Sequence, residues 1–519
     1  MSLSLVLSAL KIAGRNTQSI EAWVQQEDLR ALNVARFRRY ADGDHDNTLT
    51  TEQKHLLNIR SGSGEDSARF NDNLCSIILD TMQDRINLTG IKSDNEQADE
   101  WIAKLLERER IDGLQVDVHG ATLRDGNHFL MVHPDREGTA LTNPNYGRAR
   151  FSPEPAYDGA YGTLVMYETA ASKTPMLAIK VWKITNAQIA DTTRVNVYYP
   201  DRIERWIGET ATGLREYTDD GQPARIPWVM ADGTPIGVPF VHFRNRPNGS
   251  DSFGLSELDN VIPLQNATNV VLTSIVASSL LSGFPIRLMI GGEVPAAVVP
   301  GMVLNFFLPK DSNGNPIVTG QTAIDWLASI RKDQFDPADL SQLLGVAAWL
   351  KTEMYAVTNT PTDDVAADAS GEARKQSEVK LIGKVKRFEV KNGNAWEDAV
   401  RLAQRIETVY APQQETPAFE TLTAQWDDPE VRNDAQFVDT MLKQYREGVI
   451  DQRTYLESVQ DIFGWDDAKV DAIVAETEKA KNQQAQQEIN TTTAIEQARA
   501  DAAAAMNGAN GNGAAKTAA

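Results

Sequence analysis

Apolar and polar positions divide the chain into stretches of different period. From about Ser19 to Glu109 the pattern is mainly helical, broken by the acidic loop ADGDHDN and the Gly/Ser-rich loop SGSGEDS. Between Phe70 and Gly90, Leu74, Ile77, Ile78, Thr81, Met82 and Ile86 fall close to helical spacing. From about Gly113 to Phe243 the runs HFLMVHP, YGTLVMYET, MLAIKVWKI, RVNVYYP and DRIERWIGE predict strands, separated by Gly, Pro, Asn and Asp, in a mixed region with a largely antiparallel sheet. A helix within the uncharged stretch between Asp259 and Arg287 follows, then a compact stretch, Phe284 to Phe335, of short apolar runs with Gly and Pro that suits a small β-containing module. A second helix opens at DPADLSQ, where Asp336 can cap and Pro337 takes the first turn, and it ends at Thr360 and Pro361.

The polar loop TPTDDVAADASGEARK leads into a long helix from about Ser370 to Tyr410, with Leu381, Val385, Phe388, Trp396, Val400 and Ala403 on its apolar face and Gly383 and Gly393 as weak points where a bend is expected. The strand-like FETLTAQW precedes short helices with acidic starts, the first two with glycine stops. From about Lys481 the chain is Gln, Ala, Asn, Thr and Gly, which reads as a disordered tail or a frayed helix. The class expected from these elements is α+β, predominantly helical.

Charge narrows the function classes. The 519 residues carry 51 Lys and Arg against 72 Asp and Glu, a formal net charge of −21, which argues against a broadly basic nucleic-acid coat. The single cysteine, Cys75, excludes an intrachain disulfide and a multi-cysteine metal site, and it reads as a small buried apolar residue. The opening MSLSLVLSALKIAGRN has no basic residue ahead of its apolar run and reads as an amphipathic first helix rather than a targeting segment. No charge occurs between Asp259 and Arg287, but Pro263, Gln265, Asn266, Thr268, Asn269 and several serines interrupt the run, and its dense apolar part, Val270 to Leu281, is short for a bilayer. Such a helix suits packing by protein on most sides, including by neighbouring subunits.

Candidate chemistry is sparse. Asp42, Asp44 and Asp46 imitate the start of a calcium loop, but the sixth position is Asn47 instead of glycine and the twelfth is Gln53 instead of a bidentate carboxylate, so an acidic turn is expected and no metal site. His45, His55, His119, His128, His133 and His242 show no ligand spacing; His128 and His133 lie on or beside a strand, where ordinary hydrogen bonding is expected. There is no GxxxxGK[ST] loop and no GxSxG elbow, so neither a catalytic residue nor a cofactor is assigned. Lys380, Lys384, Arg387 and Lys391, at spacings of four, three and four, share one face of the long helix and read either as phosphate contacts or as cations paired with nearby acids. Trp182, Trp206, Trp228, Trp349, Trp396 and Trp465 read as core or subunit-contact residues.

Several stretches in order carry a resemblance: FRRYADGDH; FNDNLCSIILDTMQDRINLTGI; ATLRDGNHFLMV; VPFVHFRNRP with FGLSELDNVIPLQNATNVVLTSIVASSLLSGFPIRLMIGG; SGEARKQSE; and WDDPEVRNDAQFVDTMLKQYREGVIDQRTYLESV. From about Ala35 to Lys479 the chain resembles the portal proteins of tailed bacteriophages, in their siphophage-type branch. The resemblance implies a homo-oligomeric ring, usually of twelve subunits, at one capsid vertex, non-enzymatic, conducting double-stranded DNA in packaging and ejection. Its implied partners are the terminase large subunit, then a neck or adaptor protein, with the major capsid and scaffolding proteins and no membrane. It implies location in the virion, after assembly in the host cytoplasm.

Carried onto this chain, the resemblance implies an N-terminal arm at 1–19, a wing at 20–252, a stem helix at 253–283, a clip at 284–335, a second stem helix at 336–359 and a tunnel loop at 360–371. The long helix and return to the wing occupy 372–428, a crown 429–479 and the tail 480–519. On the same resemblance Thr360, Thr362, Asp363, Asp364, Asp368, Ser370 and Glu372 are the residues facing the channel. Competing readings are an enzyme whose site escapes motif analysis and a membrane-associated scaffold built on the uncharged helix.

Overall fold

The computed structural model describes residues 6, 9, 10, 17–46, 72–139, 141–169, 172, 174–186, 189–208, 213–218, 223–247, 252–283, 287–290, 310–329, 331–334, 340–361, 371–430 and 434–511. Two compact units are present, Met1–Glu430 and Val431–Ala519. Helices dominate and every named strand pairing is antiparallel, as the α+β expectation requires.

In the first unit, helices α1 (Thr17–Ala41) and α2 (Leu74–Gln83) precede strand β1 (Leu88–Ser93), and helices α3 (Glu96–Arg108) and α4 (Ile111–Asp125) follow it. The first strand therefore precedes the expected boundary at Gly113, and helix α4 carries past it to Asp125. Gly113 and Gly120 weaken helix propensity, yet Val118, Thr122 and Leu123 are buried, and a Cβ at Gly120 would come within 2.5 Å of Gln83 Oε1, so that glycine permits close packing on α2. Helix α4 stops at Gly126, whose φ of +79° and closeness to the backbone of Leu255 and Ser256 leave no room for a side chain.

Strands β2 (Asn127–Pro134), β3 (Ala149–Pro155) and β10 (Phe240–Arg244) form one sheet in the order β10-β2-β3. Strands β4 (Gly162–Met166), β5 (Leu177–Asn186), β6 (Ile189–Tyr198), β7 (Arg202–Gly208) and β8 (Arg215–Glu216) form a meander, with β9 (Arg225–Pro227) also on β7. Every residue of β4 is buried, as its near-continuous apolar run predicts.

Helix α5 (Ile262–Gly283) is the uncharged helix, and it starts later than expected because 254–261 form turns. The cause is the contact of Gly254 with Gly126 and Asn245, fixed by a hydrogen bond from Leu255 N–H to Asn245 O at 2.8 Å. Its polar residues find partners inside the protein: Gln265 Nε2 donates to Asn269 Oδ1 at 3.0 Å, Leu74 N–H donates to Gln265 Oε1 at 3.2 Å, and Thr268 and Thr273 donate to backbone carbonyls one turn back. Among the described residues no helix is long and apolar enough to cross a membrane.

Next come β11 (Arg287–Ile290), helix α6 (Gln321–Ser329) and β12 (Arg331–Gln334), with β11 and β12 paired, then helix α7 (Leu340–Thr358), which packs along α5. Asp336 and Pro337, the expected cap, lie outside the described residues. Helix α8 (Gly371–Tyr410) runs 40 residues through Gly383 and Gly393 without a break. At Gly393 a Cβ would stand 3.2 Å from Ala424 Cβ and 3.3 Å from Trp426 Nε1, so this glycine makes room for β13 (Leu422–Trp426), which returns to pair with β1.

Trp396 of α8, fully buried, is central to the largest core cluster, with its ring 5.0 Å from that of Phe243 and its Nε1–H donating to His119 Nε2 at 3.0 Å. Glu407, 1 % exposed, accepts from Arg108 Nη2 at 2.8 Å, Trp101 Nε1 at 3.0 Å and Ala149 N at 3.1 Å.

The second unit contains helices α9 (Asp434–Arg446), α10 (Gln452–Phe463) and α11 (Asp467–Gly511). The first two end at Gly448 and Gly464, both at positive φ, as their glycine stops predicted. Of the two readings of the tail, disorder is corrected and a helix is found: α11 continues to Gly511, with Val470 buried near its start and the residues at 478–504 exposed. Its Ala, Gln, Glu and Lys are good helix formers, and neither proline nor glycine occurs between Asp467 and Asn507, so propensity holds the helix where packing does not.

Candidate functional site

The residues expected to face the channel surround the connection from α7 to α8. Thr362, Asp363, Asp364, Asp368 and Ser370 lie outside the described residues, and Glu372 is placed only as a position in the first turn of α8. Thr360 is described and is 8 % exposed, with its hydroxyl 2.8 Å from that of Thr358 and its N–H donating to Tyr355 O at 2.9 Å. Asn359 takes a left-handed φ of +59° and donates to Ala356 O at 3.3 Å. These bonds close the C-terminal end of α7 in the manner of a Schellman turn, although asparagine stands where glycine is usual.

The cationic stripe divides. Lys380, Arg387 and Lys391 are exposed, and Lys391 borders a cleft of about 780 Å³ that also holds Arg244, Arg401, Arg405, Glu397 and Asp398. Lys384 is turned inward, 7 % exposed. Its ammonium pairs with Glu257 Oε2 and donates to Thr358 O at 2.9 Å, which removes it from a phosphate-contact stripe. Burial pushes its pKa down, and Glu257 opposes that shift. The buried position is legible in retrospect, since Lys384 stands three residues after Leu381 and four before Phe388, on the apolar face.

Glu257, 2 % exposed, also accepts from Asn245 Nδ2 at 2.9 Å and lies 3.6 Å from Arg246 Nη1. The same Asn245 binds backbone on both sides: its N–H donates to Gly126 O at 3.0 Å and its Nδ2 to Leu255 O at 2.9 Å. Sequence reading missed Glu257, Asn245 and Thr358, because their partners are remote in the chain.

The other candidates have structural surroundings. Asp46 pairs with Arg39, which holds its carboxyl below the usual range, and Asp44 lies 3.7 Å from Arg39 Nε. His45 between them is buried, with Nε2 3.1 Å from Tyr40 O and Nδ1 2.9 Å from Asn269 Nδ2, so the turn packs onto α5. Gln53 and the rest of that acidic loop lie outside the described residues, as does His55. His133 hydrogen-bonds with Ser152 Oγ at 2.9 Å, as expected for a strand histidine. His128 departs from that expectation: it is buried and neither ring nitrogen has a hydrogen-bond partner among the described residues. Cys75 is buried, and desolvation raises its thiol to about 12.

With α5 and α7 paired, a connection closed at Thr358–Thr360 and the long α8 behind it, comparison with known proteins decides the class. Residues 25–487 match the family model described as phage portal protein, SPP1 Gp6-like. This chain belongs to the phage portal protein family. Portal proteins are a structural class, not a class of enzymes. The chain is 30% identical over 247 residues to the portal protein of Mycobacterium phage L5, covering 43% of this chain and 47% of that one. It is also 30% identical over 238 residues to the portal protein of Mycobacterium phage D29, covering 43% and 45%. The match thus spans about half the length of these curated relatives.

Proposed function

We propose that copies of this chain assemble into a ring, twelve-fold as the family pattern implies, at one vertex of a phage capsid, and that double-stranded DNA passes through it in packaging and ejection. Residues 253–283 and 336–359 serve as the stem, 284–335 as the clip and 360–371 as the tunnel loop, with 20–252 as the wing and 429–479 as the crown. The terminase large subunit docks first and a neck or adaptor protein replaces it, while scaffolding and major capsid proteins surround the ring. Assembly takes place in the host cytoplasm and the finished ring stays in the virion.

The observation that carries this reading is the incomplete burial of α7. Leu350, Met354 and Tyr355 are buried, whereas Leu344, Val346, Trp349 and Val357 remain 56, 43, 59 and 42 % exposed around them. Exposed apolar surface beside an uncharged helix supports burial by a neighbouring subunit. The acidic loop suits a conduit: a lumen that bound phosphates through many cations would have to release them at every step, whereas carboxylates keep the duplex from settling. Screening over about 8 Å at physiological salt limits that effect to Asp363, Asp364, Asp368 and Glu372 if they line the lumen.

Negative-stain electron microscopy with native mass spectrometry of the purified full chain tests the reading. Rings with a central channel wide enough for a duplex are expected. A monomer that stays a monomer even when co-expressed with its capsid and scaffolding proteins would sink it. Replacing Asp363, Asp364 and Asp368 together by lysine is expected to leave rings intact and impair packaging; normal packaging would overturn the acidic-lumen assignment.

A further inference from the structure

A buried ionic group lies at the end of α7, just before the chain continues into 362–370. We infer that Lys384 and Glu257 form a clamp that fixes this departure point to the wing, making Lys384 a positioning residue for the loop. The inference rests on reading 360–371 as the channel loop.

The ε-ammonium of Lys384 has two partners of different kinds. One is the Glu257 carboxylate and the other is the backbone carbonyl of Thr358, in the last turn of α7. Carbonyls at a helix end lack intrahelical donors and carry the negative end of the helix dipole, so a cation there satisfies the acceptor and favours the helical end. A lysine contributed by α8 thereby ties α7 to α8 beside the loop that joins them.

Glu257 extends the tie into the wing. It accepts from Asn245 just beyond β10, and its own N–H donates to Leu123 O in α4 at 3.0 Å. Asn245 in turn binds Gly126, at the turn between α4 and β2. A displacement of the wing at this turn is thus carried through Asn245, Glu257 and Lys384 to the carbonyl of Thr358, by contacts that are short, directional and buried. Because both charges are desolvated, neither can relax into water while the other stays, and the arrangement holds one geometry. Arg246, at a φ of +45° and 3.6 Å from Glu257, is a second cation beside the pair, and its charge opposes that of Lys384.

The test is hydrogen exchange, read by mass spectrometry on the assembled full-length protein, with Lys384→Met/Glu257→Gln, which removes both charges at similar volume. Exchange of the Asn359 and Thr360 amides, which close α7, is expected to quicken at least tenfold while β4–β7 is unchanged. Glu257→Gln alone retains a group able to accept from Asn245 and leaves Thr358 its donor, so it is the variant to read if the double variant does not fold; a smaller, local quickening is expected. Unchanged exchange at Asn359 and Thr360, or quickening equal to that of the whole unit, would overturn the clamp. Packaging by the same particles separates the two ideas: loosened amides with packaging unaltered would leave the clamp standing and overturn the channel reading of the loop.

Discussion

The core around Trp396 and the helix pair α5–α7 solve burial in opposite ways. Around Trp396, strands β1, β2, β3 and β10 and helices α3, α4 and α8 close on one another, and the Glu407 carboxylate they enclose is satisfied from within the chain. Helix α7 buries Leu350 and Met354 but leaves Trp349 59 % exposed. The first region is closed within this chain, whereas the second keeps apolar surface exposed. On the ring proposed above, stability and assembly are thus encoded in separate places, and substitutions can address them independently.

The largest expected effect breaks the closed region. Trp396→Ala removes the largest fully buried side chain and the hydrogen bond to His119, and should cost about 3–5 kcal/mol in chemical denaturation of the full chain. A loss below about 1 kcal/mol would mean that this core is not the one that sets stability.

An effect of comparable size is the acid sensitivity of the same region. Burial lowers His119 to about 3 and His128 to about 4, so both are neutral when folded while the unfolded chain takes up protons near pH 6.5. The stability these neutral rings allow is fully present above that pH. It is lost progressively as pH falls from about 6.5 to about 4 for His128 and to about 3 for His119, at up to about 1.4 kcal/mol per pH unit for each imidazole. Denaturation midpoints measured from pH 7.5 to 4.5 should show this decline. His128→Phe, which removes a ring whose nitrogens have no hydrogen-bond partner among the described residues, should make it shallower; an unchanged slope would remove His128 from the account.

The smallest effect on stability sharpens the contrast from the other side. Trp349→Glu should change the unfolding free energy of the subunit by no more than about 0.5 kcal/mol, as for other exposed sites, while sedimentation shows self-association lost. Intact rings from this variant would place the subunit contact elsewhere.

Much of the fold was legible in the pattern of residues. The alternation in HFLMVHP and RVNVYYP became strands, the uncharged run from Ile262 became one helix, and the apolar face Leu381, Val385, Phe388 and Trp396 became the buried side of α8. Where reading failed, a local signal was overruled by a local or a remote partner. Gly254 lies outside the helix because its backbone meets Gly126 and Asn245. Composition left the tail between disorder and a frayed helix, and uninterrupted helix propensity decides for the helix.

By itself the sequence determined the elements, their order and the family, because periodicity, helix stops and motif order are properties of neighbours along the chain. Only the tertiary structure decided what the charged residues do. Lys380, Lys384, Arg387 and Lys391 are equivalent by spacing, yet Lys384 alone of the four is buried against Glu257, 127 positions away. The role of a charge depends on its solvent exposure and on which opposite charge lies within a few ångströms, and both are set by long-range packing that no local pattern encodes.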